Sequence, residues 1–273
     1  MKAAAFEYLK PADVAGAVKS LAGSAGEGKP LGGGQSLGPM LNLRLARPKL
    51  LVDVSRLDAM RMIEDKGTSW RIGGAVTHSA IEDAKMPGCT VVSEVARGIA
   101  YRTIRNRGTI GGSLAHADPA ADWPLALPTL AATIFITGPA GERSVPADAF
   151  MTGAFATVLA EDEIIVAVEV PKLSASARWG YWKFCRKTGE FPEASAAMLL
   201  DPERKLARLW VGALNGAPKP LPALAADLAQ RGSLAASETA VSAALESAVP
   251  DLDPVHRRLN ITAVRRAVQK GFQ

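Results

Sequence analysis

The sequence predicts an α+β fold, because short strands and helices follow one another irregularly and the last two predicted elements are helices. Runs rich in Val, Ile and aromatic residues at 164–170 and 179–184 are typical of strands. The last two stretches, 238–249 and 259–268, instead repeat apolar residues at helical spacing. Strands followed by helices favour an α+β arrangement over a wound parallel sheet.

In the amino-terminal part, capping residues mark two helix starts. Apolar residues at helical spacing follow Asp13 as far as Leu21, and Thr77 precedes a short helical stretch through Ile81. Asp and Thr side chains accept hydrogen bonds from the first free amides of a helix. The other elements predicted here are strands over 50–54, 70–76, 133–137 and 164–170 and a helix over 90–100.

A change of composition after Pro171 predicts a boundary between two domains. Ser174 and Ser176 give the following stretch the character of a linker. We therefore expect one domain over residues 1–175 and a second α+β domain over residues 176–273. The second domain is predicted to contain strands over 179–184, 195–200 and 207–214 and helices over 238–249 and 259–268.

The composition argues against several classes of function. The 273 residues are 48% hydrophobic and 22% charged, as in an ordinary globular protein. The formal net charge of +5 comes with no long basic run and no interleaved aromatic residues, so a nucleic-acid surface is not indicated. Cys89 and Cys185 form neither a disulfide framework nor a metal-ligand spacing. The sequence shows no signal-peptide core and no membrane-length apolar stretch, so we expect a cytoplasmic protein.

Two glycine-rich turns are the most informative feature of the chain. The first is Leu31-Gly32-Gly33-Gly34-Gln35-Ser36-Leu37 and the second is Thr109-Ile110-Gly111-Gly112-Ser113. Glycine lets consecutive peptide N–H groups turn inward, and such a nest binds anions through the backbone alone. Two loops that each carry a small hydroxyl residue predict the two sides of a diphosphate site. Either loop taken alone is equally well explained as a tight turn.

A dinucleotide-binding Rossmann motif does not account for the first turn. Asp53 follows a strand about 20 residues after the glycines, where that motif places a ribose-binding acid. The third small residue of the motif would fall on Leu37, however, and Pro39 stands where the next helix should begin. The chain also lacks a glycine followed by Lys-Ser or Lys-Thr, as a P-loop requires.

Three longer segments carry a family resemblance. Residues 30–46 and 104–122 contain the two glycine turns, the second followed by Leu114-Ala115-His116-Ala117-Asp118-Pro119, and residues 181–191 follow the predicted boundary. Together they resemble the FAD-binding medium subunit of molybdenum hydroxylases, the family of xanthine dehydrogenase and carbon monoxide dehydrogenase. The resemblance covers essentially the whole chain.

The resemblance implies a two-domain α+β architecture. Residues 1–175 would form a two-lobed FAD-binding domain of the vanillyl-alcohol-oxidase (PCMH) type. Its lobes would span about 1–55 and 56–175. Residues 176–273 would form a small α+β domain like the carboxyl-terminal domain of the carbon monoxide dehydrogenase flavoprotein.

The resemblance also implies a noncovalent FAD site. Gln35 stands where relatives with covalently bound flavin carry a histidine. Ser113 stands where relatives commonly carry asparagine, which leaves one fewer amide partner. The residues implied to hold the diphosphate are Pro30, Leu31, Gly32, Gly33, Gly34, Gln35, Ser36 and Leu37 in the first loop and Thr109, Ile110, Gly111, Gly112 and Ser113 in the second.

Three further positions are implied to contact the cofactor. Asp122 would accept hydrogen bonds from ribose hydroxyls, its alternative role being a helix cap. Ile165 and Lys183 would line the flavin end, where a lysine favours the anionic reduced flavin; the alternative for Lys183 is a surface ion pair. Ile99 stands at a position that is aromatic in some relatives.

The function implied is electron transfer rather than substrate chemistry. FAD would receive electrons from [2Fe-2S] clusters on a small partner, fed by a molybdopterin cofactor on a large partner, and pass them to an external acceptor. The complex would be a heterotrimer or a dimer of heterotrimers. The segment after the second loop more closely resembles subunits of enzymes that hydroxylate N-heterocycles or aldehydes. No catalytic residue is predicted: His116 is expected to order the loop after Gly112, and His78 to be exposed.

Three alternatives remain at the level of sequence. A self-contained flavin oxidase would need acid or base groups above the flavin, and a UDP-sugar enolpyruvate reductase would need a larger substrate domain. A nucleotide-binding adaptor would have no redox role. Two isolated cysteines and three scattered histidines predict that the chain itself holds no metal.

Overall fold

A small parallel sheet forms the first part of the protein, whose computed structural model describes residues 2–273. Its elements are β1 (Glu7–Leu9), α1 (Val14–Ala22), β2 (Gly28–Leu31), α2 (Leu37–Asn42) and β3 (Leu50–Asp53). The strands are ordered β1-β3-β2, and both neighbouring pairs are parallel. Parallel strands end at the same edge of a sheet, so the first glycine loop leaves β2 beside the end of β3.

The middle of the chain forms a five-stranded antiparallel sheet and a group of helices. Its strands are β4 (Ile63–Asp65), β5 (Ser69–Gly73), β6 (Thr133–Gly138), β7 (Gly141–Pro146) and β10 (Ile164–Pro171), with the separate hairpin β8 (Met151–Gly153) and β9 (Ala156–Thr157). Its helices are α3 (His78–Asp83), α4 (Thr90–Gly98), α5 (Arg102–Arg105), α6 (Ile110–His116) and α7 (Asp122–Thr129). The sheet order is β4-β5-β10-β6-β7. All five helices fall between β5 and β6, and the second glycine loop opens α6.

The strand β10 joins two hydrophobic cores. Ile165 and Val168 pack in the core that includes the fully buried Trp123 of α7. Ile164 and Val166 point to the other face and pack in the core under the parallel sheet. Successive side chains of a strand point to opposite faces, and the register shift between Ile165 and Ala167 brings Val168 to the same face as Ile165, so one buried strand stabilises both lobes.

The carboxyl-terminal part is a four-stranded antiparallel sheet covered by helices. Its elements are β11 (Arg178–Phe184), β12 (Ala194–Asp201), β13 (Leu206–Gly212), β14 (Lys219–Pro220), α8 (Pro222–Arg231), α9 (Glu238–Ala248) and α10 (Pro254–Gly271). All residues of β12 are buried, because α10 packs against β11 and β12 while α7 packs against β12 and β13. The helix α7 therefore lies between this sheet and the middle of the chain.

The secondary structure agrees with most of the predicted elements, and the predicted α+β class is confirmed. Asp13 caps α1 by accepting a hydrogen bond from the Gly16 amide at 2.7 Å, and Thr77 caps α3 through the Ala80 amide at 3.2 Å. The last helix begins at Pro254, earlier than predicted, because Asp253 caps it. The elements that the sequence analysis did not predict are β1, β2, β4, β7, β8, β9, β14, α2, α5, α6, α7 and α8.

The predicted domain boundary falls in the connection between β10 and β11. Ser174 in this connection donates a hydrogen bond from its hydroxyl to Asp201 at 2.6 Å. The division at residue 175 stays a prediction.

Replacing Gly180 by alanine should destabilise the protein by about 1–3 kcal/mol, the usual cost of overpacking a core. A Cβ on Gly180 in β11 would overlap the carbonyl oxygen of Ala267 in α10. Gly216→Ala is the matched control, because a Cβ there meets no atom within 4 Å. Urea unfolding of both variants measures the difference; equal stabilities would contradict the close packing of α10 on β11.

Candidate cofactor site

The two glycine-rich loops meet backbone to backbone. A Cβ placed on Gly33 would overlap the carbonyl oxygen of Arg107 and would lie 2.7 Å from the Cα of Gly108. A Cβ placed on Gly32 would lie 2.9 Å from Oγ1 of Thr109. A side chain at Gly33 would therefore force the two loops apart, because a packed interior has no room for an added carbon at that distance.

The first loop offers a row of backbone amides that are free to bind a ligand. The amides of Gly33, Gly34, Gln35, Ser36 and Leu37 have no acceptor elsewhere in the described chain. Gly34 has a φ of +72°, a conformation that turns neighbouring amides toward one concave side. The Ser36 hydroxyl makes no capping hydrogen bond to α2. Free backbone N–H groups next to a residue with positive φ are a feature of the nests that bind anionic groups such as a diphosphate.

The first amides of the second loop, by contrast, donate to the stretch that directly follows β5 of the five-stranded sheet. The amide of Ile110 donates to the carbonyl of Val76 at 3.1 Å, and the amide of Gly111 donates to the carbonyl of Gly74 at 2.9 Å. A Cβ on Gly111 would lie 2.6 Å from the same Gly74 oxygen. Glycine at 111 is thus explained by the close approach of the loop to the sheet.

The next two amides of this loop close the first turn of α6. The Gly112 amide donates to Oγ1 of Thr109 at 3.1 Å, and the Ser113 amide donates to the Thr109 carbonyl at 3.0 Å. The hydroxyl groups of Thr109 and Ser113 can still donate a hydrogen bond. The second loop therefore keeps two hydroxyl donors, of which that of Thr109 is buried, whereas the first loop keeps backbone amide donors.

Ile165 lies behind the second loop. Its side chain is only 4% exposed, and a Cβ on Gly74 would overlap its carbonyl oxygen. The pairing of β10 with β6 shifts register between Ile165 and Ala167. The backbone of β10 therefore packs against Gly74, and the Gly74 carbonyl accepts the hydrogen bond from the Gly111 amide.

His78 is buried, and the expectation that it would be exposed is wrong. Its side chain is 4% exposed, and its Nδ1 accepts a hydrogen bond from Trp123 Nε1 at 3.2 Å. Its amide donates to the carbonyl of Gly108 at 2.8 Å, and its ring edge lies against Gly108. The pKa of His78 is lowered to about 4, mainly by burial; the nearby Asp122 charge opposes this shift and the Arg105 charge adds to it. A neutral imidazole thus links the second loop to α7.

Asp122 lies in the first turn of α7 and faces the carboxyl-terminal sheet. It is 6% exposed, and its Oδ1 accepts hydrogen bonds from the Tyr181 hydroxyl and from Lys183 Nζ, both at 2.6 Å. Ala121, not Asp122, is the cap residue of α7. Burial raises the pKa of Tyr181 well above its usual value, and the Asp122 charge adds to this effect. Asp122 therefore holds Lys183 in a largely buried ion pair that joins the two parts of the chain.

Two cations hold the corner between α4 and α5. Lys183 Nζ donates to the carbonyl of Gly98 at 2.8 Å. Arg105 donates from Nη1 to the carbonyls of Ile99 at 2.8 Å and Ala100 at 3.0 Å. Three consecutive carbonyls thus have a cationic donor, and Ile99 lies half-buried between them. Charge-assisted hydrogen bonds of this kind are among the stronger ones in proteins.

Glu82 supplies the counter-charge for this buried arginine. Its Oε2 accepts from Arg105 Nε at 2.8 Å and from Arg102 Nη1 at 2.8 Å. Burial alone would raise the pKa of Glu82, but the hydrogen bonds and charges of the two arginines outweigh it and lower that pKa. The ion pair of Glu82 with Arg105 therefore stabilises the corner that contains Ile99.

Asp53 is already committed to partners within the protein. Its carboxylate accepts from the hydroxyl of Tyr8, from the Ser55 amide at 2.9 Å and from the Ser55 hydroxyl at 2.6 Å. This agrees with the exclusion of a Rossmann site, in which that acid binds ribose.

The structural roles of Tyr181, Arg105 and His78 in this region were not predicted from the sequence. One signal was available for Tyr181: it stands two residues before Lys183 on β11, so both side chains point to one face of the sheet. Arg105 and His78 carry no such signal, because their burial depends on helices that are distant in sequence.

Comparison with known proteins assigns the family. Residues 4–173 match the family described as the FAD binding domain in molybdopterin dehydrogenase, and the chain belongs to this family. It is 35% identical over 259 residues to the 6-hydroxypseudooxynicotine dehydrogenase complex subunit alpha of Paenarthrobacter nicotinovorans, covering 93% of this chain and 87% of that protein. It is 38% identical over 200 residues to the carbon monoxide dehydrogenase medium chain of Hydrogenophaga pseudoflava, covering 71% and 69%.

Solved structures agree with this assignment. The chain superposes on a chain of quinoline 2-oxidoreductase from Pseudomonas putida 86 with a TM-score of 0.89 and 30% sequence identity, over 99% of this chain and 98% of that one. The predicted resemblance and the FAD-binding α+β fold are confirmed, and the chain is an oxidoreductase subunit that binds FAD. Among residues 2–273, no helix is both long and apolar enough to cross a membrane.

Replacing Gly33 by alanine should weaken FAD binding by at least about tenfold, equivalent to about 1.4 kcal/mol. The added Cβ would overlap the Arg107 carbonyl and separate the loops. Gly38→Ala is the matched control, because its Cβ would meet no atom within 4 Å. Flavin absorbance per protein, followed by titration of the apoproteins, gives the comparison; equal affinities would show that the loop contact does not shape the site.

The protein should lose stability as the pH falls from about 6.5 toward 4, in part because of His78. Its pKa is about 4 in the fold and 6.5 in an unfolded chain, so the unfolded state takes up the proton first. This difference corresponds to at most about 3 kcal/mol. Urea unfolding at several pH values should show a shallower pH dependence for His78→Gln than for the wild type. An identical slope would assign the acid sensitivity to other groups.

Proposed function

We propose that this chain is the electron-transfer subunit of a heteromeric molybdenum hydroxylase, with FAD bound noncovalently between the two glycine loops. The observation that carries the proposal is the contact of the loops at Gly33, which brings the first loop, with its free amides, against the second loop, which contains Thr109 and Ser113. No catalytic residue is assigned to the chain. When bound, FAD supplies the redox chemistry, and the protein supplies position and electrostatics.

The residues of the site fit the different parts of FAD. The amides from Gly33 to Leu37 suit the diphosphate, which needs several N–H donors around its oxygens. Asp122, which the sequence predicts to bind ribose hydroxyls, is paired with Lys183, so we assign both residues to the flavin end, where they provide an acceptor and a donor. The remaining members of the proposed site are Pro30, Leu31, Gly32, Thr109, Ile110, Gly111, Gly112, Ser113 and Ile165.

The names of the relatives support the proposed partners. Several relatives are described as a medium chain or a medium subunit, and one as an FAD-subunit, which are terms for one part of a larger enzyme. We assign to the partners the [2Fe-2S] clusters and the molybdopterin cofactor, in a heterotrimer or a dimer of heterotrimers. The division into domains at residue 175 and a cytoplasmic location belong to the same proposal.

The substrate of the complex is proposed to be an N-heterocycle or an aldehyde. Relatives include a nicotine 6-hydroxylase, a caffeine dehydrogenase and a quinoline 2-oxidoreductase, all named after N-heterocycles. Another is a glyceraldehyde dehydrogenase. Carbon monoxide dehydrogenase chains also occur among the relatives. Assays of the copurified complex with an N-heterocycle, an aldehyde and carbon monoxide would decide which class of substrate it oxidises.

The isolated chain should bind FAD, but an organic substrate should leave that flavin oxidised until the partners are added. The proposed electron source is a partner, because the isolated cysteines and histidines of this chain suit no cluster or metal cofactor. Flavin absorbance after substrate addition, with dithionite reduction as the control, measures this.

Two outcomes would replace the proposal. Substrate-dependent bleaching in a sample verified free of iron and molybdenum would identify a self-contained flavin oxidase. Protein that is purified without bound flavin, and that binds no FAD when FAD is added, would identify a nucleotide-binding adaptor without a redox role.

A further inference from the structure

A cluster of three polar side chains joins α7 to the carboxyl-terminal sheet. Oδ1 of Asp122 accepts from the Tyr181 hydroxyl and from Lys183 Nζ, both at 2.6 Å. Lys183 Nζ also donates to the carbonyl of Gly98 at 2.8 Å. The exposed fractions of the Asp122 and Lys183 side chains are 6% and 17%, so water screens this ion pair weakly.

The cluster leaves one donor and one acceptor unused. An ammonium group has three N–H donors, and Lys183 uses two of them within the protein. Both donors to Asp122 reach Oδ1, so Oδ2 has no hydrogen-bond partner within the part of the chain that the structure describes. The pair can thus accept one hydrogen bond from a ligand and donate another to it.

Tyr181 is held rigidly by packing. Its ring stacks on Trp179 with the ring centroids 6.3 Å apart and an angle of 3° between the planes. The same two rings pack against Leu125 of α7 and Ala197 of β12. The Tyr181 hydroxyl is therefore a fixed donor to Asp122, and a hydrogen bond to a carboxylate stabilises its charged form.

We propose that Tyr181 is a positioning residue whose hydroxyl orients the Asp122 carboxylate beside Lys183 and weakens its negative field, so that a balanced ion pair, rather than a free lysine, acts on the flavin and sets its reduction potential. This inference rests on the proposed function, because it requires FAD in the site. It assigns a role to the carboxyl-terminal sheet in tuning the cofactor. Neither Asp122 nor Tyr181 has to touch the flavin for this effect, since a charge acts over several ångströms in a weakly screened site.

Removal of the negative charge and removal of its hydrogen-bond donor should shift the potential in opposite directions. In Asp122→Asn the charge of Lys183 is no longer balanced, so the negatively charged reduced flavin is favoured and the potential rises. In Tyr181→Phe the carboxylate loses a donor and exerts a stronger negative field, so the potential falls. A tenfold change in the equilibrium between oxidised and reduced flavin corresponds to about 30 mV for a two-electron couple.

The test is a redox titration of FAD bound to the full chain and its variants. We expect a rise of about 30 mV in Asp122→Asn and a smaller fall in Tyr181→Phe. The double variant Asp122→Asn with Lys183→Met should lose the rise, because the unbalanced charge is gone. Tyr101→Phe is the matched control: it deletes the same atom from a tyrosine whose hydroxyl bonds to no group in the described chain.

The outcomes separate this inference from the proposed function. If wild type and variants bind FAD but Tyr181→Phe has the potential of Tyr101→Phe, the role of Tyr181 is structural and the inference fails. A fall in Asp122→Asn, or a rise that persists in the double variant, also overturns it. If Asp122→Asn does not fold, the comparison of the two phenylalanine variants decides. Wild-type protein that takes up no FAD would overturn the proposed function first, and the inference with it.

Discussion

The site depends on one contact, in which two glycine loops touch without an intervening side chain. Gly33 lies against the Arg107 carbonyl and the Gly108 Cα, and only a hydrogen atom fits there. The first loop follows the small parallel sheet, whereas the second is attached to the antiparallel sheet through Gly74. The contact therefore fixes the position of one lobe against the other, and the proposed diphosphate site lies at that contact.

The two loops look similar in sequence but differ in chemistry. In the first loop the amides from Gly33 to Leu37 remain free, because they precede α2 or, for Leu37, belong to its first residue, where no intrahelical acceptor is available. In the second loop the amides from Ile110 to Ser113 bond to the strand end and to Thr109, which leaves side-chain hydroxyls as the available groups. The glycines of the second loop consequently serve close packing, and the backbone amides that we propose to bind the diphosphate belong to the first loop.

Helix α7 connects the loops to the carboxyl-terminal sheet. On one side Trp123 donates to His78, whose ring lies against Gly108 of the second loop. On the other side Asp122 holds Tyr181 and Lys183 of β11. Neighbouring residues of one buried helix thus contact both the second glycine loop and β11, which we propose hold the diphosphate and the flavin end of FAD. This arrangement explains why α7 is buried along its whole length although its first residue is charged.

The sequence by itself determined the features that depend on neighbouring residues. These are the caps Asp13 and Thr77, the alternation of the strands, the α+β class and the motif of the glycine loops. Tertiary structure alone decided the parallel pairing of the first sheet, the burial of His78 and the pairing of Asp122 with Lys183. Capping and periodicity act over a few residues, whereas burial and ion pairing join groups tens of residues apart, whose approach depends on the packing of the whole chain.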